Sequence, residues 1–133
     1  MEELPLDPEV PSIGRAREFV RAALLPRQVD AWVVELLTSE LVTNVVRHAE
    51  TEFTVVIELD RHVRVEIHDG VAATQAFRDL IDSPPEFRED SPGGRGLPLV
   101  HRMASRFGLD AEPGVHNGKI VWFELEWSDL DPA

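Results

Sequence analysis

Three polar side chains on one predicted helix have the types and the spacing of a ligand-binding wall. Glu40, Asn44 and His48 follow one another at intervals of four residues, so on a helix they stack along one side. The apolar residues of the same segment share that side: Val33, Leu36, Leu37, Leu41 and Val45. A carboxylate, an amide and an imidazole in such a stripe each cost about 1 to 3 kcal/mol of desolvation unless a polar partner meets them. Either the three residues satisfy one another in a buried network, or the helix lines a polar cavity and presents oxygens to a hydrated metal ion or an ionised ligand.

Two other segments carry groups that a binding site would use. The predicted strand over 63–69 alternates, and Asp69 ends its apolar row. A glycine-rich segment over 93–96 then opens a helix, where backbone N–H groups can approach phosphate oxygens and the helix end favours negative charge. Such glycines also occur in ordinary loops. Together with a Glu/Asn pair able to hold hydrated Mg²⁺, and an Asp able to accept a purine amino group, the segment indicates an adenine nucleotide site.

Composition limits the class of protein. The chain has 133 residues, a length that suits one domain over 1–133, with 43% hydrophobic and 29% charged residues. A net charge of −12 argues against a direct nucleic-acid partner. There is no cysteine, no apolar run of the length of a membrane span, and no signal-peptide pattern at the N-terminus. We therefore expect a cytoplasmic protein that does not bind membranes.

The hydrophobic pattern predicts an α+β fold. Helices are expected over 11–25 and 27–49, after an extended lead, and two strands over 53–59 and 63–69 form a hairpin. A long segment over about 70–96, with one helical turn near Phe77, is expected to be a lid. A third helix follows it, then strands over 107–112 and 119–127, and the acidic tail over 128–133 is expected to be frayed. The predicted architecture is a two-layer α/β sandwich, a mostly antiparallel mixed sheet with helices on one face.

Four sequence blocks also carry a family resemblance. ELVTNVVRHA, VEIHDG, GGRGLPLV and GKIVWFEL, in this order, resemble the N, G1, G2 and final-strand boxes of the GHKL (Bergerat-fold) ATPase superfamily. The resemblance spans about residues 15–127. The compact single domain is similar to the anti-sigma-factor serine/threonine kinase branch, which implies the Bergerat ATP-binding fold with ATP and Mg²⁺ as cofactors.

The resemblance implies roles for particular residues. Asn44 would coordinate the Mg²⁺ that bridges the phosphates, and Asp69 would accept a hydrogen bond from the adenine amino group. Glu40 would be the general base for the attacking hydroxyl of a protein substrate. The remaining members of the implied cofactor-binding set are His48, Gly94, Arg95, Gly96 and Leu97, of which the two glycines would offer N–H groups to the phosphates and Arg95 a positive charge. His48 is typical of the branch but has no firm role.

The sequence departs from the family pattern at the adenine end. The G1 box usually has the form Asp-x-Gly, whereas here Gly70 follows Asp69 directly. In the final strand a Thr commonly supports the adenine-binding Asp through a water, and Ile120 stands at the matching place. Weaker or altered nucleotide binding is therefore expected at this end, and the metal and phosphate end is intact.

Three functions remain open. The first is a serine/threonine kinase of the anti-sigma type, which sequesters a sigma factor and phosphorylates an antagonist protein. The second is a partner-binding module of the same fold with weak or no ATP turnover. The third, an ATP-driven mechanical domain, is disfavoured because no transducer domain follows. The resemblance also implies a homodimer, and the acidic surface suits a basic protein partner.

Overall fold

The structure is a computed structural model that describes residues 1–82, 96–111 and 118–133. Within these ranges the strands are β1 (Glu2–Leu6), β2 (Phe53–Leu59), β3 (His62–Asp69), β4 (Arg106–Ala111) and β5 (Lys119–Glu126), and the α-helices are α1 (Pro11–Leu24), α2 (Trp32–Asn44), α3 (Gln75–Asp82) and α4 (Gly96–Met103). The five strands form one sheet in the order β1-β2-β3-β5-β4. All four pairings between these described strands are antiparallel.

Strict alternation gives the sheet one apolar face. Buried and half-buried residues alternate along β3 and β5, and the inward rows include the fully buried Val65, Ile67 and Phe123. The helices contribute their own buried residues to the same core, among them Val20 of α1 and Leu37 of α2. The predicted α+β sandwich is therefore confirmed. Among the described helices, none combines the length and the apolar character that crossing a bilayer requires.

The other face of the sheet carries a charged network. The Arg64 guanidinium donates from Nε to Glu66 Oε2 at 2.7 Å and from Nη1 to Glu124 Oε2 at 3.0 Å. It also lies 4.2 Å from the centroid of the Trp122 ring. His68 Nε2 lies 2.8 Å from Glu66 Oε1. The hydrogen bond from His68, reinforced by Arg64, outweighs desolvation and lowers the pKa of the Glu66 carboxyl from 4.5 to about 2.

Helix boundaries near the N-terminus differ from the prediction. The helix expected over 27–49 begins at Trp32, since Leu25–Arg27 form a short 3₁₀ turn that Gln28 ends in a left-handed conformation with φ 57°. The Asp30 side chain then accepts the Trp32 N–H at 3.0 Å, which satisfies the first N–H of α2, and Ala31 at the N-cap adds no side-chain bond. The first helix ends at Leu24, one residue earlier than expected.

Both chain ends are more ordered than the sequence indicated. The extended lead is a sheet strand, β1, paired with β2. The prediction of a frayed tail was wrong: Leu130 is buried in the core. The Asp30 N–H donates to the Asp131 carbonyl at 2.7 Å, and the Ala133 N–H donates to the Gln28 carbonyl at 2.9 Å. One apolar anchor and backbone pairing with the segment before α2 thus hold the acidic tail.

The segment expected to be a lid contains more helix than a single turn. Within 70–96, α3 covers Gln75–Asp82 and α4 begins at Gly96. Thr74 caps α3, since its Oγ1 accepts the Phe77 N–H at 3.1 Å. Residues 83–95 lie outside the described residues, so the lid stays a prediction.

The charged network should give the protein a measurable acid dependence. We expect Glu66→Gln to lower the free energy of unfolding by about 1 kcal/mol at neutral pH, because charge-assisted hydrogen bonds are lost. The folded-state pKa of about 2 lies below the usual 4.5, so this contribution is complete above the unfolded-state pKa and is lost as the pH falls toward the folded-state value. Urea unfolding of both proteins across that pH window is the measurement, with the exposed Glu52→Gln as control. A difference in the free energy of unfolding between the parent and Glu66→Gln that stays constant across this pH window would contradict the lowered pKa of Glu66.

Candidate functional site

A cavity of about 480 Å³ opens beside the apolar face of the sheet. The end of α2, the end of β3, the start of α4 and the segment leading into α3 surround it. Its polar lining residues in the described part of the chain are Asn44, His48, Asp69, Thr74 and Lys119. Apolar side chains such as Leu41, Ile67 and Val121 form most of the remaining surface. Apolar walls with a few convergent polar groups are typical of small-molecule sites.

The wall formed by α2 changes its helical geometry directly after Asn44. Asn44 is half-buried and is the last residue of α2. The next five residues, Val45–Ala49, form a π-helical turn, closed by the Glu50 N–H donating to the Val45 carbonyl at 3.2 Å. The wider turn breaks the i, i+4 alignment, and His48 is exposed at the cavity rather than buried in the apolar stripe. Such turns recur at functional sites.

Glu40 stands apart from the other predicted site residues. It is half-buried on α2, one turn or about 6 Å before Asn44 along the helix axis. It takes part in at least one hydrogen-bonding or electrostatic interaction. It is not among the described residues that line the cavity. Its role as a general base therefore stays a prediction.

The beginning of α4 forms a further part of the site. Gly96 is its first residue, and the buried Leu97 lines the cavity together with Pro98. The first turn of a helix has unpaired N–H groups and a favourable field for anions. The predicted phosphate-binding residues Gly94 and Arg95 lie outside the described residues. The structure thus brings together Asn44, His48, Asp69 and Leu97, with Gly96 at the head of the same helix.

Asp69 is part of a buried ion pair that the sequence analysis missed. The Lys119 ammonium lies 3.1 Å from both Asp69 carboxylate oxygens, and it donates to the Val71 carbonyl at 3.2 Å. Only 1% of the Asp69 side chain and 9% of the Lys119 side chain are exposed to solvent. Asp69 Oδ1 also accepts the Val71 N–H at 2.8 Å. Each buried charge therefore meets its opposite, which offsets a desolvation cost of several kcal/mol per ion.

Strand register explains this partner and corrects the place assigned to Ile120. Asp69 is opposite Lys119 in the β3–β5 pairing, whereas Ile120 is opposite His68. Opposed residues in an antiparallel pair point to the same face, so Lys119 supports Asp69 and Ile120 belongs to the outer face. The sequence contained this information. Lys119 lies an even number of residues before Val121, Phe123 and Leu125, so it points to the same face of β5 as this apolar row.

The site occurs on a chain with a recognisable family signature. The family model of the histidine kinase-like ATPase domain matches residues 4–125. The chain belongs to this family. Its membership supports an ATP-binding regulatory domain of the GHKL type, the superfamily that the four sequence blocks indicated. No curated protein matches the chain.

The site fits the two ends of a Mg²⁺-nucleotide differently. At the Asn44 end, one amide oxygen suits Mg²⁺, which binds through few protein ligands and keeps its phosphate and water ligands. The described residues contain no group of three or more His, Cys, Asp or Glu side chains that could hold a metal ion. The N-terminus of α4 suits the phosphates. At the other end, Asp69 has the acceptor chemistry for a base, but Lys119 already binds it.

The close approach of two backbones at the site can be tested with a matched pair of glycine substitutions. A Cβ on Gly118 would overlap the Asp69 carbonyl, whereas a Cβ on Gly14 of α1 meets no atom within 4 Å. We expect Gly118→Ala to destabilise the protein by about 2 kcal/mol or more and Gly14→Ala to stabilise it by about 0.5 to 1 kcal/mol. Chemical denaturation measures both. Equal effects of the two substitutions would show that Gly118 does not approach Asp69 in this way.

Proposed function

We propose that the protein is an ATP-binding regulator of the anti-sigma type, which uses Mg²⁺·ATP to phosphorylate a serine or threonine of an antagonist protein in a partner-switching system. ATP would supply the phosphoryl group. The chain's own residues would bind the nucleotide, hold the metal and take the proton from the attacking hydroxyl.

One observation carries this proposal. Asn44 at the end of α2, Asp69 at the end of β3 and Leu97 at the start of α4 line one cavity, although they are far apart in the chain. They belong to three different family blocks, and the family match covers all three. An amide, a carboxylate and a helix N-terminus around one apolar cavity suit a ligand with a metal-bound anionic end and a flat base.

Glu40 supplies the catalytic part of the proposal. Its carboxylate, one turn before Asn44, would accept the proton of a hydroxyl that approaches the phosphate end. A general base of this kind contributes about 10²- to 10⁴-fold to a rate. The partners would be a sigma factor and its antagonist protein, and the net charge of −12 favours basic surfaces on them. Nucleic acid has no direct part, and we expect the regulator to be a cytoplasmic homodimer.

The pairing of Asp69 with Lys119 favours a second candidate, a partner-binding module that does not turn over ATP. A carboxylate held by a buried ammonium at 3.1 Å has less capacity left for a base amino group. In this case the protein would bind its partners without ATP. Calorimetry of partner binding, with and without Mg²⁺·ATP, separates the two functions.

Nucleotide binding should depend on Asn44 and on Mg²⁺ together. We expect calorimetric titration with Mg²⁺·ATP to show saturable binding that Asn44→Ala weakens at least tenfold, because a metal ligand is lost. In the presence of excess chelator, the ATP affinity of the parent protein should fall to that of Asn44→Ala. The control is Thr43→Ala, the adjacent residue, whose hydroxyl donates to the Ser39 carbonyl at 2.6 Å. If Asn44→Ala binds Mg²⁺·ATP as well as the parent does, Asn44 is not the metal ligand.

Catalysis should depend on Glu40 without affecting binding. We expect Glu40→Ala to lower phosphotransfer to proteins co-purified from the native cell at least 100-fold, because a general base is lost. Its ATP affinity should stay within about threefold of the parent's. The exposed Glu58→Ala serves as the control. Transfer by Glu40→Ala at the parent's rate would remove the general-base assignment and leave ATP binding intact.

A further inference from the structure

Lys119 is the one lysine of the chain, and its ammonium lies at the end of the cavity where a base would bind. Asp69 and Val71 hold it through three oxygens. The Phe77 ring, whose centroid is 5.0 Å from Nζ, contacts it from α3. The ammonium is thus held by contacts from the sheet, from the segment that connects β3 to α3, and from α3 itself. It is therefore a preorganised group of the site rather than a mobile surface charge.

Counting donors shows that the ammonium can spare one hydrogen bond. A lysine ammonium has three N–H groups, and here the acceptors within reach are Oδ1 and Oδ2 of Asp69 and the Val71 carbonyl oxygen. Two of the three acceptors belong to the same carboxylate. One N–H can therefore turn to a ligand, and the remaining bond to Asp69 keeps the two charges paired.

The carboxylate can spare one acceptor position in the same way. Asp69 Oδ1 accepts from both Lys119 and the Val71 N–H, whereas within the described part of the chain Oδ2 has the ammonium as its one partner. Each carboxylate oxygen has two lone pairs, so Oδ2 can accept a further N–H. Asp69 and Lys119 both line the cavity. The ion pair therefore offers a ligand one acceptor beside one donor.

We propose that Lys119 is a specificity-determining residue that makes this site accept 6-oxopurine nucleotides as well as ATP. A carboxylate alone favours the amino group of adenine and repels an oxygen at position 6. With the ammonium beside it, Lys119 donates to the 6-oxo oxygen and Asp69 accepts the neighbouring N1–H. Adenine is also matched, since its amino group donates to Asp69 and its N1 accepts from Lys119. This inference rests on the proposed nucleotide binding and adds base selection to it.

ATP and inosine triphosphate are the matched probes, because they differ only at purine position 6 and in the N1 proton, and inosine has no 2-amino group to clash. We expect the parent to bind the two Mg²⁺-nucleotides with affinities within about tenfold of each other, measured by calorimetry. Lys119→Thr should weaken inosine triphosphate at least tenfold more than ATP, since the Asp69 carboxylate that remains repels the 6-oxo oxygen but still accepts the amino group of adenine. Two results would overturn the inference. One is a parent protein that binds ATP more than 100-fold more tightly than inosine triphosphate, and the other is an equal loss of affinity for both nucleotides in Lys119→Thr.

Removing the ammonium leaves a buried carboxylate, so a measurement on the intact chain is also needed. With lysine labelled at Nζ with ¹⁵N, the parent should give a single side-chain ammonium resonance, that of Lys119. We expect saturation with inosine triphosphate to shift it and saturation with inorganic triphosphate, which has no base, to leave it in place. Binding of inosine triphosphate without a shift of this resonance would overturn the inference whatever the stability of the variant.

The outcomes separate this inference from the proposed function. If ATP binds in an Asn44-dependent way and inosine triphosphate does not, base selection by Lys119 is wrong and the proposed function stands. If neither nucleotide binds to the folded parent, both are wrong. Lys119→Arg, which keeps a positive charge, should retain more inosine triphosphate binding than Lys119→Thr.

Discussion

The buried Asp69–Lys119 pair depends on the placement of two strand ends, and much of the site depends on the pair in turn. Buried charges are tolerated only when each is paired and hydrogen-bonded. The β3–β5 register puts the two residues opposite each other, and Gly118 lets the two backbones come close enough for the bonds to form. The same ammonium binds the Val71 carbonyl and contacts the Phe77 ring. A slip of β5 by one residue would send Lys119 to the outer face, leave the Asp69 carboxylate buried without its ammonium, and remove the bond to the segment that leads into α3.

This pair divides the cavity into two chemically different ends. At the end proposed to bind the base, the ammonium already has three acceptors in the free protein, so a ligand that accepts from it must replace one of these bonds. At the phosphate end, the amide of Asn44 and the N-terminus of α4 are suited to ligands that the protein does not itself supply. Binding energy for an anionic nucleotide should therefore come chiefly from the phosphate end, and the base end should act mainly on selectivity.

Sequence periodicity predicted most of the fold because one face of the sheet is buried in the hydrophobic core. Alternation placed β2 within its observed bounds and located Asp69 on the inward row, and the helical period placed Asn44 on a core-facing helix. The same alternation identifies Lys119 as an inward-facing partner of Asp69. The family pattern instead indicated Ile120, which is the next residue and lies on the other face. What periodicity could not show was the effect of distant contacts. The π turn that exposes His48, the pairing of β1 with β2 and the anchoring of the tail by Leu130 all depend on tertiary neighbours.

Electrostatics sets a condition on any anion that enters the cavity. The whole chain carries a net charge of −12, which repels anions at long range. Among the described residues that line the cavity, Lys119 is the one lysine or arginine, and its +1 charge is cancelled by the −1 charge of Asp69. Within this part of the site a nucleotide therefore meets no net positive side-chain charge. Under the proposed function, backbone N–H groups at the start of α4 and the metal ion that accompanies the phosphates would supply the attraction in this part of the site, so Mg²⁺ would serve nucleotide binding as well as phosphoryl transfer.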